Sequence, residues 1–357
     1  MKHIPLVQVC DFQGGSQPPK DQWIDHEEDG YIRMLQIRDF TQPDKDNVEF
    51  VRISKTIKTC KEDDILIGRY GASVGKILTG LSGAYNVAII KTIPDTSKLS
   101  KRFLYHYLNS PYFQNFILSV GSRAAQAGFN KDDLRDAQIP DLSLDEQNNV
   151  VFQLDKINGL IDLRKDQLSK LDKLIKARFV ELFGDPIRNT QDRPTTDFIN
   201  VVKMQRGFDL PVQDRQQDGN IPVFGSNGAL DRHDVAKVQG GGVITGRSGT
   251  IGKVYYTEGD YWPLNTSLFS VDTHGNNIIY LAYLLQMYDL SRFTEGTGVP
   301  TLNRNKFHNK PIIDVPLNEQ ELFASFVKQT DKSKLAIQQS LDKLETMKKA
   351  LMQKYFG

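Results

Sequence analysis

The chain contains an internal repeat in which a long, charged segment follows each of two variable segments. Leu142–Gln147 (LSLDEQ) recurs 173 positions later as Val315–Gln320 (VPLNEQ), and the Phe-Gly pair at 183–184 recurs at 356–357. The glycine loop Gly68–Lys76 (GRYGASVGK) recurs as Gly246–Lys253 (GRSGTIGK), at offsets of 178 and 177. So long a period is typical of duplicated domains and excludes a solenoid of short repeats. The sequence therefore predicts a tandem of two domain-sized units.

Each charged segment carries apolar residues at heptad spacing. They are Leu154, Ile157, Ile161, Leu168, Leu171, Ile175 and Leu182 in the first copy, and Val327, Ile337, Leu341, Leu344, Leu351 and Tyr355 in the second. Lys, Asp, Gln and Glu fill the positions between them, as a solvated helix face requires. The pattern predicts two helices of about 35–40 residues, each roughly 50–60 Å long. Capping-box pairs precede them, Ser143 with Glu146 and Asn318 with Glu321.

Neither long helix buries its apolar seam alone, so the two are predicted to pair. About 130 residues separate them, which leaves an antiparallel coiled coil within one chain available. Self-association into a dimer is the alternative. Arg164, Arg178, Lys334 and Lys348 interrupt the seam, so a uniformly dry zipper is not expected. Gly159 costs the first helix about 1 kcal/mol relative to Ala.

The variable segments mix predicted strands with a few predicted helices. The strands are residues 31–40, 49–57, 63–70, 75–80 and 84–93 in the first copy and 241–248, 252–259 and 265–273 in the second. Residues 101–118 and 276–288 each predict one amphipathic helix. The predicted fold class is α+β, with two mixed α/β domains at 1–142 and 186–315. The helical segments at 143–185 and 316–357 complete a pseudo-twofold internal repeat.

The glycine loops look like phosphate-binding loops but fail the spacing test. A P-loop has four residues between its first glycine and the Gly-Lys pair, and Ser or Thr follows the lysine. Three residues separate Gly71 from Gly75 and Ile77 follows, whereas five separate Gly246 from Gly252 and Val254 follows. Both motifs instead predict tight glycine turns between strands. An ATP cofactor is therefore not expected.

Composition narrows the class of protein without identifying a partner. With 45 Lys and Arg against 44 Asp and Glu, a surface that faces DNA requires local segregation of charge. No apolar run approaches the roughly twenty residues of a bilayer span, and the N-terminus is not typical of a signal peptide. We therefore expect a cytoplasmic protein without a membrane partner. Cys10 and Cys60 are expected to be buried thiols, and the scattered histidines predict neither a metal nor another cofactor.

Taken together, this arrangement resembles the specificity subunits of type I restriction-modification enzymes. Each α+β unit ends in a long helix that starts near a Glu-Gln pair, and each carries a glycine loop and an Asn followed by a basic residue, in Phe129–Lys131 and Leu302–Arg304. The resemblance covers essentially the whole chain and lies in its architecture. It implies a non-catalytic subunit whose two target-recognition domains each read one half of a bipartite target in double-stranded DNA. It also implies that the paired helices set the spacing and dock two methyltransferase subunits, which nuclease/translocase subunits then join.

Reading base edges and phosphates requires Arg, Lys, Asn, Ser and Thr side chains on loops. The candidate DNA-binding residues lie in the glycine loops and the Asn-basic pairs: Arg69, Tyr70, Ser73, Lys76, Asn130, Lys131, Arg247, Ser248, Thr250, Lys253, Asn303 and Arg304. A structural turn is the alternative for the loops, and a helix cap is the alternative for the two asparagines. The candidate partner-binding and coiled-coil residues are Leu154, Ile161, Leu168, Leu171, Ile175, Leu341, Leu344 and Leu351.

Two other functions compete with this interpretation. Similar specificity chains serve fused type II restriction-methylation enzymes, and the sequence does not separate these from type I systems. A bivalent protein-binding scaffold, with the coiled coil as its spacer, is the second alternative. Salt-dependent, sequence-selective DNA binding distinguishes a DNA reader from a scaffold. An enzymatic role for this chain is not favoured, because neither a methylase motif of the NPPY type nor a P-loop occurs.

Overall fold

Strands and helices form two separate packing units in the computed structural model of the chain. The residues that the structure describes are 2–42, 48–121, 128–296 and 300–357. What we call the first unit comprises Met1–Leu163 with Leu341–Gly357, and the second unit comprises Arg164–Ser340. Each unit thus combines the strands of one repeat copy with one end of each predicted long helix.

The first unit is built from short strands around two central helices. Its strands are β1 (His3–Pro5), β2 (Cys10–Gly14), β3 (Trp23–Ile24), β4 (Tyr31–Leu35), β5 (Phe50–Arg52), β6 (Thr59–Cys60), β7 (Leu66–Gly68), β8 (Ile77–Leu78), β9 (Gly83–Tyr85), β10 (Ile89–Pro94) and β11 (Gln138–Pro140). Its helices are α1 (Ile37–Thr41), α2 (Lys101–Leu108), α3 (Pro111–Gly121) and the first part of α4 (Leu144–Phe183).

The second unit repeats this plan with longer strands. Its strands are β12 (Thr195–Asp197), β13 (Lys203–Arg206), β14 (Ile221–Gly225), β15 (Gly228–His233), β16 (Gly242–Gly246), β17 (Val254–Thr257), β18 (Trp262–Pro263), β19 (Ser267–Asp272), β20 (Thr294–Glu295), β21 (Thr301–Leu302) and β22 (Pro311–Ile313). Its helices are α5 (Phe198–Val201), α6 (Ile278–Tyr288) and the first part of α7 (Leu317–Phe356).

The sheet order shows that the two units share one topology. A four-stranded antiparallel sheet has the order β2-β10-β7-β8 in the first unit and β13-β19-β16-β17 in the second. A two-stranded ladder closes each unit, β1 with β11 and β12 with β22. The α+β class and the internal repeat predicted from the sequence are confirmed.

The units differ in what they add to the shared sheet. In the first unit, β3-β5-β4-β9-β6 form a five-stranded sheet in which β4 and β9 are parallel. In the second unit, β15-β14-β18 form a three-stranded sheet in which β14 and β18 are parallel. The added sheets lie in the variable part of each copy, where the two sequences match least.

Both long helices have the predicted length. α4 and α7 are each 40 residues long, which corresponds to about 60 Å. The predicted capping box at the start of α4 is confirmed, because the Ser143 N–H donates to Glu146 Oε2 at 2.8 Å and the Glu146 N–H donates back to Ser143 Oγ at 3.4 Å. The second predicted capping box, Asn318 with Glu321, is wrong. The helix α7 begins at Leu317, so Asn318 lies inside its first turn.

Contacts within each unit make the two long helices antiparallel. In the first unit, the start of α4 lies against the end of α7, where Tyr355 donates a hydrogen bond to Gln153 at 3.2 Å. In the second unit, the end of α4 lies against the start of α7, where the rings of Phe183 and Phe323 are 5.7 Å apart. A Lys334–Asp172 ion pair of 2.7 Å continues this contact. The predicted antiparallel pair within one chain is confirmed.

Burial along the seam is uneven, as its interrupting charges suggested. Six of the predicted seam residues are buried: Leu154, Ile157, Ile161, Ile175, Val327 and Leu341. The other seven are half-buried: Leu168, Leu171, Leu182, Ile337, Leu344, Leu351 and Tyr355. Buried and half-buried positions are therefore interspersed along both helices, and the seam is not uniformly dry.

Aromatic anchors explain why the Phe-Gly pair recurs. Phe356 packs on Phe103 of α2 with ring centroids 5.4 Å apart, and Phe183 packs on Tyr280 of α6 with centroids 5.2 Å apart. All four rings are fully buried. Each such side chain contributes a few kcal/mol by leaving water, so the end of each long helix is fixed to the body of a unit.

Three segments depart from the predicted elements. Residues 31–40 were predicted as one strand, but β4 ends at Leu35 and α1 follows, because Gln36 and Asp39 form a capping box. Residues 84–93 form two strands, β9 and β10, rather than one. Residues 101–118 form two helices rather than one, because Pro111 has no N–H to continue α2 and instead begins α3.

Candidate nucleic-acid interface

Each glycine loop is a tight turn between two paired strands, as the sequence predicted. The turns join β7 to β8 and β16 to β17. A Cβ atom on Gly68 or Gly246 would lie 2.2 or 1.7 Å from a carbonyl oxygen of its own loop, so neither position accommodates a side chain. Gly75 and Gly252 have φ values of +79° and +89°, which favour glycine. The glycines therefore set the backbone path of each turn.

Each turn contacts the segment that carries the Asn-basic pair. An antiparallel bridge joins Tyr70 to Gly128 in the first unit and Ser248 to Thr301 in the second. The bridged residues are more than fifty positions apart in the sequence, yet the bridge occurs at the corresponding place in both copies. The structure thus brings together, in each unit, the two motifs that were predicted separately to contact DNA.

In the first unit, the guanidinium of Arg69 is committed to the protein. It donates to the carbonyl oxygens of Phe129 at 3.2 Å and Val87 at 3.3 Å. It also lies 5.1 Å from the centre of the Tyr70 ring. Arg69 therefore fixes the turn against the Asn-basic segment, while the ring of Tyr70, 44% exposed, presents a flat face to solvent. Ser73 is half-buried and Lys76 is exposed on the same turn.

The Asn-basic pair of the first unit is also engaged internally. Asn130 Oδ1 accepts hydrogen bonds from the N–H groups of Asp132 at 2.8 Å and Asp133 at 3.2 Å, so its side chain caps a short 3₁₀ helix. Lys131 forms an ion pair with Asp11 on β2. The hydrogen bond from Lys131 lowers the pKa of the Asp11 carboxyl. An internal carboxylate therefore already balances the charge of Lys131.

In the second unit, the same region is an open cleft of about 330 Å³. The lining residues are Arg206, Arg247, Leu268, Thr301, Leu302, Asn303, Arg304 and Asn305. Three guanidinium groups, two amides and one hydroxyl thus surround a floor formed by two buried leucines. In the described part of the chain, the guanidinium groups of Arg206, Arg247 and Arg304 form no hydrogen bond or ion pair, unlike that of Arg69.

Asn303 caps the short helix that follows it, as Asn130 does in the first copy. Its Oδ1 accepts a hydrogen bond from the Asn305 N–H at 3.1 Å. Arg206 was not predicted as a site residue. It ends β13, outside both repeated motifs, and is exposed. The sequence offered one indication of this position, the glycine that follows it. In the structure Gly207 lies at a close backbone approach, where a Cβ would be 2.3 Å from the carbonyl oxygen of Leu264.

The remaining candidates of the second unit lie on its glycine turn. Ser248 and Thr250 are half-buried, and Lys253 is exposed. Lys253 Nζ donates to Asn227 Oδ1 at 3.0 Å, and the Tyr255 hydroxyl approaches the same oxygen at 3.4 Å. Asn227, which the sequence did not indicate, therefore positions the lysine at the end of the turn.

His308 and the two cysteines are buried and have structural roles. His308 Nε2 accepts a hydrogen bond from the Met204 N–H at 3.2 Å, and burial lowers the pKa of this histidine. Cys10 and Cys60 are buried free thiols, as predicted, and burial raises their pKa values to about 12 and about 11. Within the described residues, no three His, Cys, Asp or Glu side chains converge as a metal site would require. None of the described helices combines the length and hydropathy of a membrane span.

Comparison with known proteins identifies one family. A family model described as "Type I restriction modification DNA specificity domain" matches residues 1–173 and again residues 189–346. Among curated proteins, 164 residues of the chain are 24% identical to the specificity subunit of the type I restriction enzyme EcoBI of Escherichia coli. That alignment covers 43% of this chain and 35% of the length of the relative.

Two solved structures resemble the whole chain. The S subunit of a type I restriction-modification system from M. genitalium has a TM-score of 0.61 at 14% identity, covering 100% of this chain and 96% of its own. A chain from a structure on complex assembly and conformational transition of the type I R-M system has a TM-score of 0.62 at 16% identity, covering 99% and 97%. At these identities the similarity shows that the fold is shared.

Proposed function

The chain belongs to the type I restriction modification DNA specificity family, and we propose that it reads a bipartite target in double-stranded DNA. In this proposal, residues 1–142 and residues 186–315 are two target-recognition domains, each of which reads one half of the target. The chain itself is non-catalytic. Methylation and cleavage belong to partner subunits in the cytoplasm, two methyltransferase subunits and the nuclease/translocase subunits that join them.

The observation that carries the proposal is the recurrence of one composite surface in both units. In each copy, a rigid glycine turn is bridged to an Asn-basic segment more than fifty positions away. Both place Arg, Lys, Asn, Ser and Thr side chains on one rigid surface, and these are the side chains that bind phosphates and base edges. A duplicated surface of this kind suits a target with two halves.

The long helices are the proposed docking site for the methyltransferase subunits. In the first unit, Phe152 and Met347 are 66% and 56% exposed and border an open apolar groove of about 560 Å³ between α4 and α7. In the second unit, Leu322 and Leu335 are 69% and 61% exposed on α7. Large apolar side chains this exposed are typical of protein interfaces. The same helices are proposed to set the distance between the two half-sites.

A domain exchange tests the division of the target. Residues 1–142 are replaced by the corresponding segment of a relative with a different target, and the hybrid is co-produced with its methyltransferase subunits. Sequencing that detects modified bases then gives the methylated target. We expect one half of the target to change while the other half and the spacing remain. Exchange of residues 186–315 serves as the matched control and should change the opposite half.

If both halves change together, or if neither changes, the two domains do not read DNA independently.

A separate binding experiment tests docking. Phe152→Asp and Met347→Asp should abolish co-purification of a methyltransferase subunit, since each places a carboxylate in an apolar contact. Gln167→Asp, an exposed polar position on α4, is the control and should leave co-purification unchanged. Normal assembly of the Phe152 and Met347 variants would place the docking surface elsewhere.

A further inference from the structure

We propose that the arginine cleft of the second unit, bordered by Arg206, Arg247 and Arg304, binds a phosphate of the DNA backbone, and that the corresponding place in the first unit does not. The inference rests on the proposed DNA-reading function and adds a division of labour to it. The second unit supplies more of the sequence-independent, electrostatic affinity than the first.

The residues that line the cleft carry only positive charge. Arg206, Arg247 and Arg304 line one cavity of about 330 Å³, and none of its eight lining residues is acidic. Like charges that share a cavity repel one another, and an anion removes that cost. A cavity this size exceeds the roughly 30 Å³ that one water molecule occupies. It therefore has room for a phosphodiester group, to which a guanidinium presents two parallel N–H donors.

The guanidinium donors of the cleft are unused within the described residues. Across the described parts of the chain, no carboxylate or carbonyl accepts a hydrogen bond from the guanidinium groups of these arginines. Asn303 uses its Oδ1 atom to cap Asn305, which leaves its Nδ2 group as a donor. Arg304 and Lys203 add to the effect of burial in lowering the pKa of His308. Both cations thus act on the imidazole that accepts the Met204 N–H of β13.

The two copies share the pairing register of their equivalent strands, β10 with β2 and β19 with β13. Ile90 pairs with Gly14 and Leu268 pairs with Arg206, in corresponding sheets. The first unit therefore has a glycine where the second has Arg206. A Cβ atom on Gly14 would lie 3.5 Å from a terminal nitrogen of Arg69, so the arginine of the first turn partly fills this space.

The other two positions differ in the same direction. Arg69 corresponds to Arg247, but its guanidinium donates to two backbone carbonyls. Lys131 corresponds to Arg304, but it is paired with Asp11. Strand β13 of the second unit corresponds to β2 of the first. It begins with the basic residue Lys203, near the position where β2 has the acidic residue Asp11. The charges of the first unit are thus paired at the place where the second unit has three unpaired arginines within the described residues.

The experiment measures binding of the assembled methyltransferase to a target duplex and to a scrambled duplex over a series of KCl concentrations. Arg206→Gln and Arg304→Gln should each lower the slope of log affinity against log salt by about one. Each should weaken binding to both duplexes alike, by about tenfold at the lowest salt. Arg304→Lys keeps the charge and should retain a slope near that of the unaltered complex.

Lys131→Gln tests the corresponding position of the first unit. Since Asp11 already pairs with this lysine, the substitution should lower the slope clearly less than Arg304→Gln does. Unaltered slopes for Arg206→Gln and Arg304→Gln, in a complex that still prefers its target duplex, would overturn the phosphate site and leave the proposed function standing. A weaker preference of these variants for the target duplex, with an unaltered slope, would show that the cleft reads a base instead. A Lys131→Gln slope as low as that of Arg304→Gln would overturn the asymmetry. A complex that does not distinguish the two duplexes at all would contradict the proposed function itself.

Discussion

Replacing the buried glutamine at the start of α4 should loosen the first unit at one defined place. Gln147 is 2% exposed and makes three hydrogen bonds. Its Nε2 group donates to the carbonyl oxygens of Lys98 at 2.7 Å and Leu142 at 2.9 Å, and its Oε1 accepts from the Ser100 N–H at 2.9 Å. One side chain thus ties the start of α4 to the start of α2. Gln147→Leu removes all three bonds and largely conserves volume.

The expected cost follows from those three bonds. Each contributes about 1 kcal/mol net, and a buried backbone group left without a partner costs about 1–3 kcal/mol. Leucine gains transfer free energy in the same place, which offsets part of the loss. We therefore expect the local stability around Ser100 to fall by about 3 kcal/mol. That fall corresponds to about a hundredfold faster exchange of the Ser100 amide hydrogen.

Hydrogen exchange followed by mass spectrometry is the appropriate assay, because it resolves a local change that an unfolding midpoint of the whole chain averages over both packing units. The second unit supplies an internal reference. Gln320 makes the corresponding bonds there, with Asn276, Asn277 and Val315. In Gln147→Leu, exchange should increase around Ser100 and stay unaltered around Asn277, and in Gln320→Leu the reverse should hold.

Gln167→Leu controls for the loss of a glutamine from the same helix. Gln167 is exposed and accepts a hydrogen bond from Arg164 within its own helix, so its replacement should change stability by less than about 0.5 kcal/mol. The reasoning fails if the Ser100 amide remains as protected in Gln147→Leu as in the unaltered chain. It also fails if Gln167→Leu has an equal effect on that amide.

Three further predictions concern helices and pH. Gly159→Ala should stabilise α4 by about 1 kcal/mol, measured as a higher thermal midpoint, because a Cβ there meets nothing within 4 Å. Leu171→Asp and Leu344→Asp should each lower that midpoint, since both leucines are half-buried in the seam; unaltered melting would contradict the pairing. Burial lowers the pKa values of His106 and His308 below 6.5. The unfolded chain therefore takes up these protons first, so stability against urea should fall as the pH drops below 6.5, and His308→Gln should weaken that dependence.

The sequence predicted the elements whose signals are local or repeated. The heptads predicted α4 and α7, and the glycine spacing predicted both turns, because apolar period and positive φ depend on adjacent residues. The break between α2 and α3 was signalled by Pro111 but missed, since the apolar pattern continues across it. The helix after β4 was missed because its capping box lies inside an apparently continuous strand pattern.

The candidate site was predictable in its position and less so in the state of its side chains. The residues that meet at the turn were named from recurrence alone, and the bridges to Gly128 and Thr301 join them in space. No local sequence pattern shows which residue pairs with each charged side chain. Arg69 and Lys131 look as available in the sequence as Arg247 does, and long-range contacts alone distinguish them. Arg206 was missed because its counterpart in the first copy is a glycine.

Comparison of the two copies separates the residues that build the fold from those that we propose to distinguish the two half-sites. Positions that recur, such as Gln147 and Gln320, make equivalent internal hydrogen bonds: each donates from Nε2 to the carbonyl oxygen five residues before it, and each accepts from the backbone N–H of Ser100 or Asn277. A position that differs in charge near the turn, Gly14 against Arg206, lies where the structure leaves an open cleft in one unit. A duplicated scaffold that reads two different half-sites must retain the first class and vary the second. Exposure alone does not identify the second class; the useful criterion is a change of charge at equivalent backbone positions whose neighbours are otherwise fixed.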